Sequence, residues 1–483
     1  MTEREGVDPL KRYDEEEAVG RTTRRHGAGL LEEEGVEPGG RLSVVRENTG
    51  YESPDEQHQF VREPHQIRGC PATVPHRRHH NAREQVLEGQ EPEHHSHASL
   101  NDLVLGARKV KNVGIRDRVA CVQWTWFTMT MATGGIANVL ASIPFQAQWL
   151  TIIGLIFFFL NIVLFIMNCI LTTLRFRFRP NTFNSSFTDQ VESLFTAAVI
   201  VSIATIFITI CEYGVPHTGP WLLQVMEVLF WVYVGVSMVV SASIYLILWS
   251  TLTFPVHTMT PIWVFPAYPL LLTAPFGQAL IGTAIETSRL SSLNTVAIAF
   301  ASISVQGAGF LISLMISTAF LYRLMTQKLP RDAQRPGIFV SIGPFAFTVA
   351  GVVGLGDHAE EIIPLDFLGN AHAVFILKVL SYMLGLWLWG LAVWFFLVSA
   401  GSLWKYLKPD HRLPFQMTWF SFVFPNTALV TATLALGKAF ESHALQVTGC
   451  VLAGCLVVVW LFVFGYMLRA LWRRELLWPR DED

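Results

Sequence analysis

Charge is scarce in this sequence: 15% of its 483 residues are Asp, Glu, Lys or Arg, where soluble chains run near a quarter. About half of that charge lies in the first 115 residues, which leaves the longer remainder sparsely charged. A net charge of −3 offers nothing to nucleic acid. Cysteine is scarce as well. Cys70, Cys121, Cys169, Cys211, Cys450 and Cys455 form no CxxC pair and no ligand spacing, so neither a disulfide framework nor a metal site is expected. Paired carboxylates, HExxH, GxSxG and histidine ladders are all missing from the apolar segments, so no enzyme and no haem or other cofactor is expected. No apolar h-region follows the first residues, and the opening stretch is too acidic for an organelle transit peptide.

Residues 1–115 carry mixed charge (Glu15-Glu16-Glu17, Arg24-Arg25, Glu32-Glu33-Glu34), scattered Gly and Pro, and almost no periodic apolar face. Such a stretch buries too little apolar surface to offset its ordering entropy, and a disordered cytosolic arm is expected there. His79-His80 and His94-His95-Ser96-His97 invite a metal-binding reading, but nothing around them fixes a coordination geometry.

What the chain has in abundance is apolar residues, 51% of the total. From Val119 onward, runs long enough to cross a ~30 Å hydrocarbon core recur with short breaks. They fall at about 120–143, 149–173, 192–213, 221–250, 262–284, 294–325, 337–357, 371–402, 415–437 and 446–470. The fold class expected is therefore an all-α membrane protein with about ten transmembrane helices over 119–470, embedded in a lipid bilayer. A short cytosolic tail follows over 471–483.

Basic residues flank alternate breaks. Lys109, Lys111, Arg116 and Arg118 precede the first span, and Arg175, Arg177 and Arg179 follow the second. Arg323, Lys328, Arg331 and Arg335 lie between the sixth and seventh; Lys405, Lys408 and Arg412 follow the eighth; Arg469, Arg473 and Arg474 close the last. The other loops hold Arg289 and Lys438 among acids such as Glu212, Glu286, Asp357 and Glu360. An even count with this bias predicts both termini in the cytosol.

Odd and even spans differ in texture. Even spans are uniformly apolar, as in Phe157-Phe158-Phe159 or the three tryptophans of 386–396. Odd spans hold the small, polar and helix-breaking residues: Thr133-Gly134-Gly135, then Ser202, Thr205 and Thr209, then Pro266, Pro269, Thr273 and Pro275. The seventh adds Ser341, Gly343-Pro344 and Thr348, and the ninth Pro425-Asn426-Thr427, Thr431 and Thr433. An interior Pro frees a carbonyl that protein or water must satisfy. Five helical hairpins follow, odd members inside around a central pore and even members outside. Simple packing of helices through small residues is the other reading of the same residues.

Several motifs resemble the tellurite-resistance/dicarboxylate transporter family, which holds fungal malic acid transporters, plant slow-type anion channels and fungal sulfite efflux pumps. They are Met131-Ala-Thr-Gly-Gly-Ile136, Phe157-Phe-Phe-Leu-Asn-Ile-Val-Leu-Phe165, Met259-Thr-Pro-Ile-Trp-Val-Phe-Pro-Ala-Tyr-Pro269, Pro336-Gly-Ile-Phe-Val-Ser-Ile-Gly-Pro344 and Trp419-Phe-Ser-Phe-Val-Phe-Pro-Asn426. The resemblance implies a pore ringed by the odd helices, a homotrimer with one pathway per protomer, and a small-anion substrate at the plasma membrane. It also implies that Phe424, just before Pro425, plugs the pore. C4-dicarboxylates such as malate lead; sulfite, chloride and nitrate are the alternative. One departure is Asp189-Gln190 where many members have His-Pro.

The spans hold no Arg or Lys near their centres, so the anion path is expected to use half-helix ends, backbone N–H groups and hydroxyls. The residues expected along it are Thr133, Gly134, Ser202, Thr205, Pro269, Thr273, Ser341, Gly343, Pro344, Thr348, Pro425, Asn426 and Thr427. Glu192, at the cytosolic mouth, and Glu227, inside the fourth span, are candidate mouth or proton-coupling carboxylates. Lys378 is expected to snorkel to the outer surface.

Overall fold

The computed structural model of the chain describes residues 113–364, 367–408 and 413–478. The expected N-terminal arm and its histidine clusters lie outside the described residues, apart from 113–115. Among the described residues every regular element is helical. Ten α-helices build the body: α1 (Phe127–Ala141), α2 (Gln148–Phe178), α3 (Ala198–Thr209), α4 (Pro220–Thr251), α5 (Thr273–Glu286), α6 (Thr295–Gln327), α7 (Gly343–Asp357), α8 (Ala373–Ser402), α9 (Phe424–Ala439) and α10 (His443–Trp472).

The even helices are uninterrupted and 30 to 33 residues long. Each odd helix is a 12- to 16-residue α-segment led in by 3₁₀ turns. Those turns are Trp124–Trp126, Ser193–Ala197, Pro261–Ala267 with Leu270–Leu272, Asp332–Ile342, and Met417–Phe422. Proline accounts for part of this. Pro266 and Pro336 sit inside 3₁₀ stretches, and Pro344 and Pro425 occupy the first turn of α7 and α9, where a missing N–H costs nothing. The fifth helix, richest in proline, bends by 69° between its two halves.

Eight helical stretches among the described residues are long and apolar enough to cross a membrane, and the bent fifth makes nine. The tenth element, α1, spans only about 22 Å by itself. It approaches membrane length only with its lead-in turn, so it is shorter than the run 120–143 suggests.

The odd helices form a closed ring in which α1 touches α3 and α9, α3 touches α5, α5 touches α7, and α7 touches α9. Outside, α2 and α10 cover α1, α4 and α6 cover α5, and α8 covers α7 and α9. Burial follows this order: 89% of the apolar centre of the seventh and of the ninth helix is buried, against 28% for α2, α6, α8 and α10. The hairpin arrangement read from texture is the one observed.

Close approach within the ring needs the glycine pair of α1. A Cβ on Gly134 would lie 2.5 Å from Thr205 Oγ1 on α3, and one on Gly135 would lie 2.7 Å from Thr427 Oγ1 on α9. Carbonyls freed by the interruptions find tyrosines. Tyr233 and Tyr245 of α4 donate to Pro269 O (2.6 Å) and Trp263 O (3.1 Å). Tyr268 donates to Val340 O (2.6 Å), and Tyr213 adds a bond to Ala137 O (3.0 Å) within the regular part of α1.

One buried ion pair ties three elements at the end where the 3₁₀ turns lie. Arg175 of α2 grips both carboxylate oxygens of Glu192, with Nη2 to Oε2 at 3.0 Å, and the two side chains are 4% and 7% exposed. The Trp124 N–H donates to the same carboxylate at 3.3 Å, and Asp189 Oδ1 accepts from the Glu192 N–H at 2.7 Å. Removing one partner of such a pair strands a buried charge. We predict that Glu192→Ala lowers stability by about 3–5 kcal/mol, read as a loss of thermal stability in detergent. Arg175→Met combined with Glu192→Leu should restore most of that loss; a double variant no better than the single would contradict the account.

Candidate functional site

Where 3₁₀ turns give way to α-helix, aromatic rings from four odd helices meet. The Phe424 ring, at the first position of α9, lies 5.2 Å from Phe347 of α7 and 6.0 Å from Tyr268 of the fifth helix. Tyr268 stacks on Phe265 at 5.1 Å, and Phe265 lies 4.8 Å from Phe195 of the third helix. All five are buried, Phe424 to 3% exposure. Tyr268 fits because Gly343 has no Cβ: one there would collide with the tyrosine hydroxyl. The sequence marked Phe424 and Gly343 but not their aromatic partners. Tyr268 could have been found from its place between Pro266 and Pro269, where a phenol can serve a freed carbonyl.

The polar residues read from the sequence are all buried along the ring, with their donors committed. Thr205, Thr273, Ser341, Thr348 and Thr427 each donate to a carbonyl three or four residues back, at 2.6–2.8 Å. Ser202 reaches Ala198 O at 2.8 Å and shares a 2.7 Å contact with Thr130. Asn426 donates to Phe422 O at 2.8 Å, leaving its Oδ1 buried and unpartnered among the described residues. An anion could take such a donor only after its present bond broke, a trade worth about 1 kcal/mol each.

Not all of these residues face one another. Thr133 donates to Met129 O and accepts from Trp460 of α10, so its hydroxyl is turned to an outer helix. Thr273 and Thr348 contact α6, the latter through Gln306 Nε2 at 3.0 Å. The Pro269 carbonyl is held by Tyr233 of α4, and Pro344 and Pro425 shape the starts of α7 and α9. Glu192 is in the ion pair described above, and Glu227 is half-buried on α4.

A cavity of about 350 Å³ lies against the ring and is bordered by all five 3₁₀ lead-ins, at Thr125, Leu194, Ile262, Gly337 and Met417 among others. At the other ends of the odd helices charges gather. Asp357 holds Lys438 at 2.9 Å and accepts from Tyr382 at 3.1 Å, and Lys378 reaches out to Glu360 at 3.2 Å. Burial, aided by the Lys438 charge, pushes the His358 imidazole below its ordinary range against the pull of Asp357, Glu361 and Glu286. Among the described residues no cluster of His, Cys, Asp and Glu could hold a metal.

Five interrupted helices ringed by five apolar ones, most of them of membrane length, fit a membrane transport protein. The chain belongs to the SLAC1 voltage-dependent anion channel family, whose family model matches residues 121–468. It is 30% identical over 378 residues to the malic acid transport protein of Schizosaccharomyces pombe, covering 78% of this chain and 84% of that one. It is 25% identical over 344 residues to a sulfite efflux pump of Trichophyton rubrum, covering 70% and 88%. An uncharacterized transporter of Methanocaldococcus jannaschii is 23% identical over 356 residues, covering 73% and 95%. The family is one of transporters and channels for small anions.

His358 yields a signed pH prediction. Its imidazole titrates in the fold below the unfolded value of ~6.5. The stability this contributes is complete above that value and is lost as pH falls through the folded pKa. Melting temperature should therefore fall on mild acidification, and His358→Gln should flatten that part of the profile. An identical acid slope in the variant would assign the loss to other groups.

Proposed function

We propose that the chain carries C4-dicarboxylates such as malate across the plasma membrane through the ring of odd helices, with both termini in the cytosol. The observation that carries the reading is the aromatic closure at Phe424 in a ring whose sequence is 30% identical to a malic acid transport protein. Phe424 is the gate, and Tyr268 and Phe347 are the surfaces it rests on. Thr133, Gly134, Ser202, Thr205, Pro269, Thr273, Ser341, Gly343, Pro344, Thr348, Pro425, Asn426 and Thr427 form the walls and close approaches of the path. Glu227 is the carboxylate that would take up a proton with the anion. Three copies assemble through the apolar faces of the outer helices, where Trp249 and Trp387 are exposed. A second reading, efflux of sulfite or passage of chloride and nitrate, is favoured by the likeness to the sulfite pump, of which the match covers 88%.

Uptake of labelled malate by cells without their own carrier tests this. Uptake at acidic pH that unlabelled malate blocks and sulfite does not is expected; no uptake with the protein at the cell surface would favour the second reading. Phe424→Ala should raise flux by roughly tenfold, the effect of a barrier lower by ~1.4 kcal/mol. Unchanged flux in a well-expressed Phe424→Ala variant would remove the gate.

A further inference from the structure

The cavity bordered by the five 3₁₀ lead-ins contains a guanidinium without a counter-charge. Arg323 lies four residues before the end of α6 and is 5% exposed. Its Nη1 and Nη2 donate to the carbonyls of Lys328 (2.5 Å) and His257 (3.1 Å), while Nε is buried with no partner. No carboxylate pairs with it among the described residues. The helix dipole, whose effect falls off within the last turn, does not account for burial with a bare donor. A buried charge costs several kcal/mol unless paired, so an Arg that lines a cavity with no counter-charge is set to draw an anion to its remaining Nη hydrogens, Nε itself being sealed within the protein.

The surroundings match. Arg331 lies exposed on the same lining and forms no side-chain bond among the described residues. His257 also borders the cavity, and Glu475 of the C-terminal segment supplies its single carboxylate. Two guanidinium groups against one carboxylate leave the space positive. A volume of about 350 Å³ falls within the range of small-molecule sites, ~300–1,000 Å³.

We infer that this vestibule is a binding site for a small dicarboxylate, with Arg323 taking one carboxylate and Arg331 the other, before the anion enters the ring. The identity of the anion rests on the malate reading given above; the site itself rests on the unpaired guanidinium. In the proposed orientation it faces the cytosol.

Calorimetric titration of the purified full-length protein in lipid nanodiscs with malate, and separately with inorganic phosphate, tests this without measuring transport. Saturable malate binding is expected, weakened by roughly tenfold or more in Arg323→Gln and by a few-fold in Arg331→Gln. Arg323→Lys should recover part of the affinity. Arg323 also holds two backbone carbonyls, so Arg323→Gln could fail to fold. Arg331→Gln removes no such bond and carries the test alone in that case. Wild-type affinity in a folded Arg323→Gln, or in Arg331→Gln where Arg323→Gln does not fold, would overturn the site, as would the absence of saturable binding. Phosphate bound as tightly as malate would overturn the dicarboxylate assignment. Malate binding that depends on these arginines in a protein that moves no malate would refute the transport reading and leave the site standing.

Discussion

In hydrocarbon a backbone N–H or C=O without an internal partner costs several kcal/mol, and the whole arrangement of this molecule answers to that constraint. Helices opened by 3₁₀ turns and prolines cannot face lipid. Here five of them are enclosed by five helices of 30 to 33 uninterrupted residues whose own backbone bonds are complete. The remaining deficits are met by phenols. The fifth helix, bent by 69°, draws on two tyrosines of α4, Tyr233 and Tyr245, at the carbonyls its irregular turns leave free. Outer helices are thus a shield and also donors, which is why a sequence of broken helices alternates with a sequence of intact ones.

The same economy of bonds sets what the ring can offer an anion. Thr205, Thr273, Ser341, Thr348 and Thr427 already donate to their own helices. Among the described residues the buried Lys and Arg side chains are Arg175 and Arg323, towards the ends of α2 and α6. What is left is weak and spread out: hydroxyls that exchange one bond for another, and the positive ends of the four short α-segments whose helices supply the aromatic rings. Weak, distributed stabilisation suits passage better than retention.

Much of this was legible in the sequence because membrane length and proline are strong signals. The expected spans 192–213, 262–284 and 415–437 fall within a few residues of Ser193–His217, Pro261–Glu286 and Met417–Ala439. Odd–even texture alone gave the ring and its sheath. The facing of individual side chains was not legible. In a soluble helix the polar stripe marks the outside, but in a ring sheathed by apolar helices both faces of an odd helix are buried and no stripe distinguishes centre from flank. Thr133 therefore read like Ser202, although it bonds Trp460 of an outer helix. Nothing in the sequence sets Phe347 apart from ordinary core, for the same reason. Arg323 read only as one of several basic flanking residues, since nothing in a sequence says that a terminal arginine folds inward.

Two buried guanidinium groups show how partner decides role. Arg175 and Arg323 lie near the ends of α2 and α6, both almost wholly hidden, 3% and 5% exposed. Arg175 is gripped by Glu192, and its charge is neutralised within the wall, where it fastens the starts of the first and third helices. Arg323 is held by two carbonyls, which fix its geometry without cancelling its charge. A unit charge seen at 4 Å through an effective dielectric of ~20 is worth about 4 kcal/mol, enough to gather an anion against the cost of shedding part of its water. Placed in the ring, that attraction would trap the anion beside the aromatic closure. Placed in the vestibule, it raises the local anion concentration and leaves the crossing itself to the weak dipoles beyond. In the proposed pathway, the separation of a charged mouth from the aromatic closure is what would let one protein attract an anion and still release it.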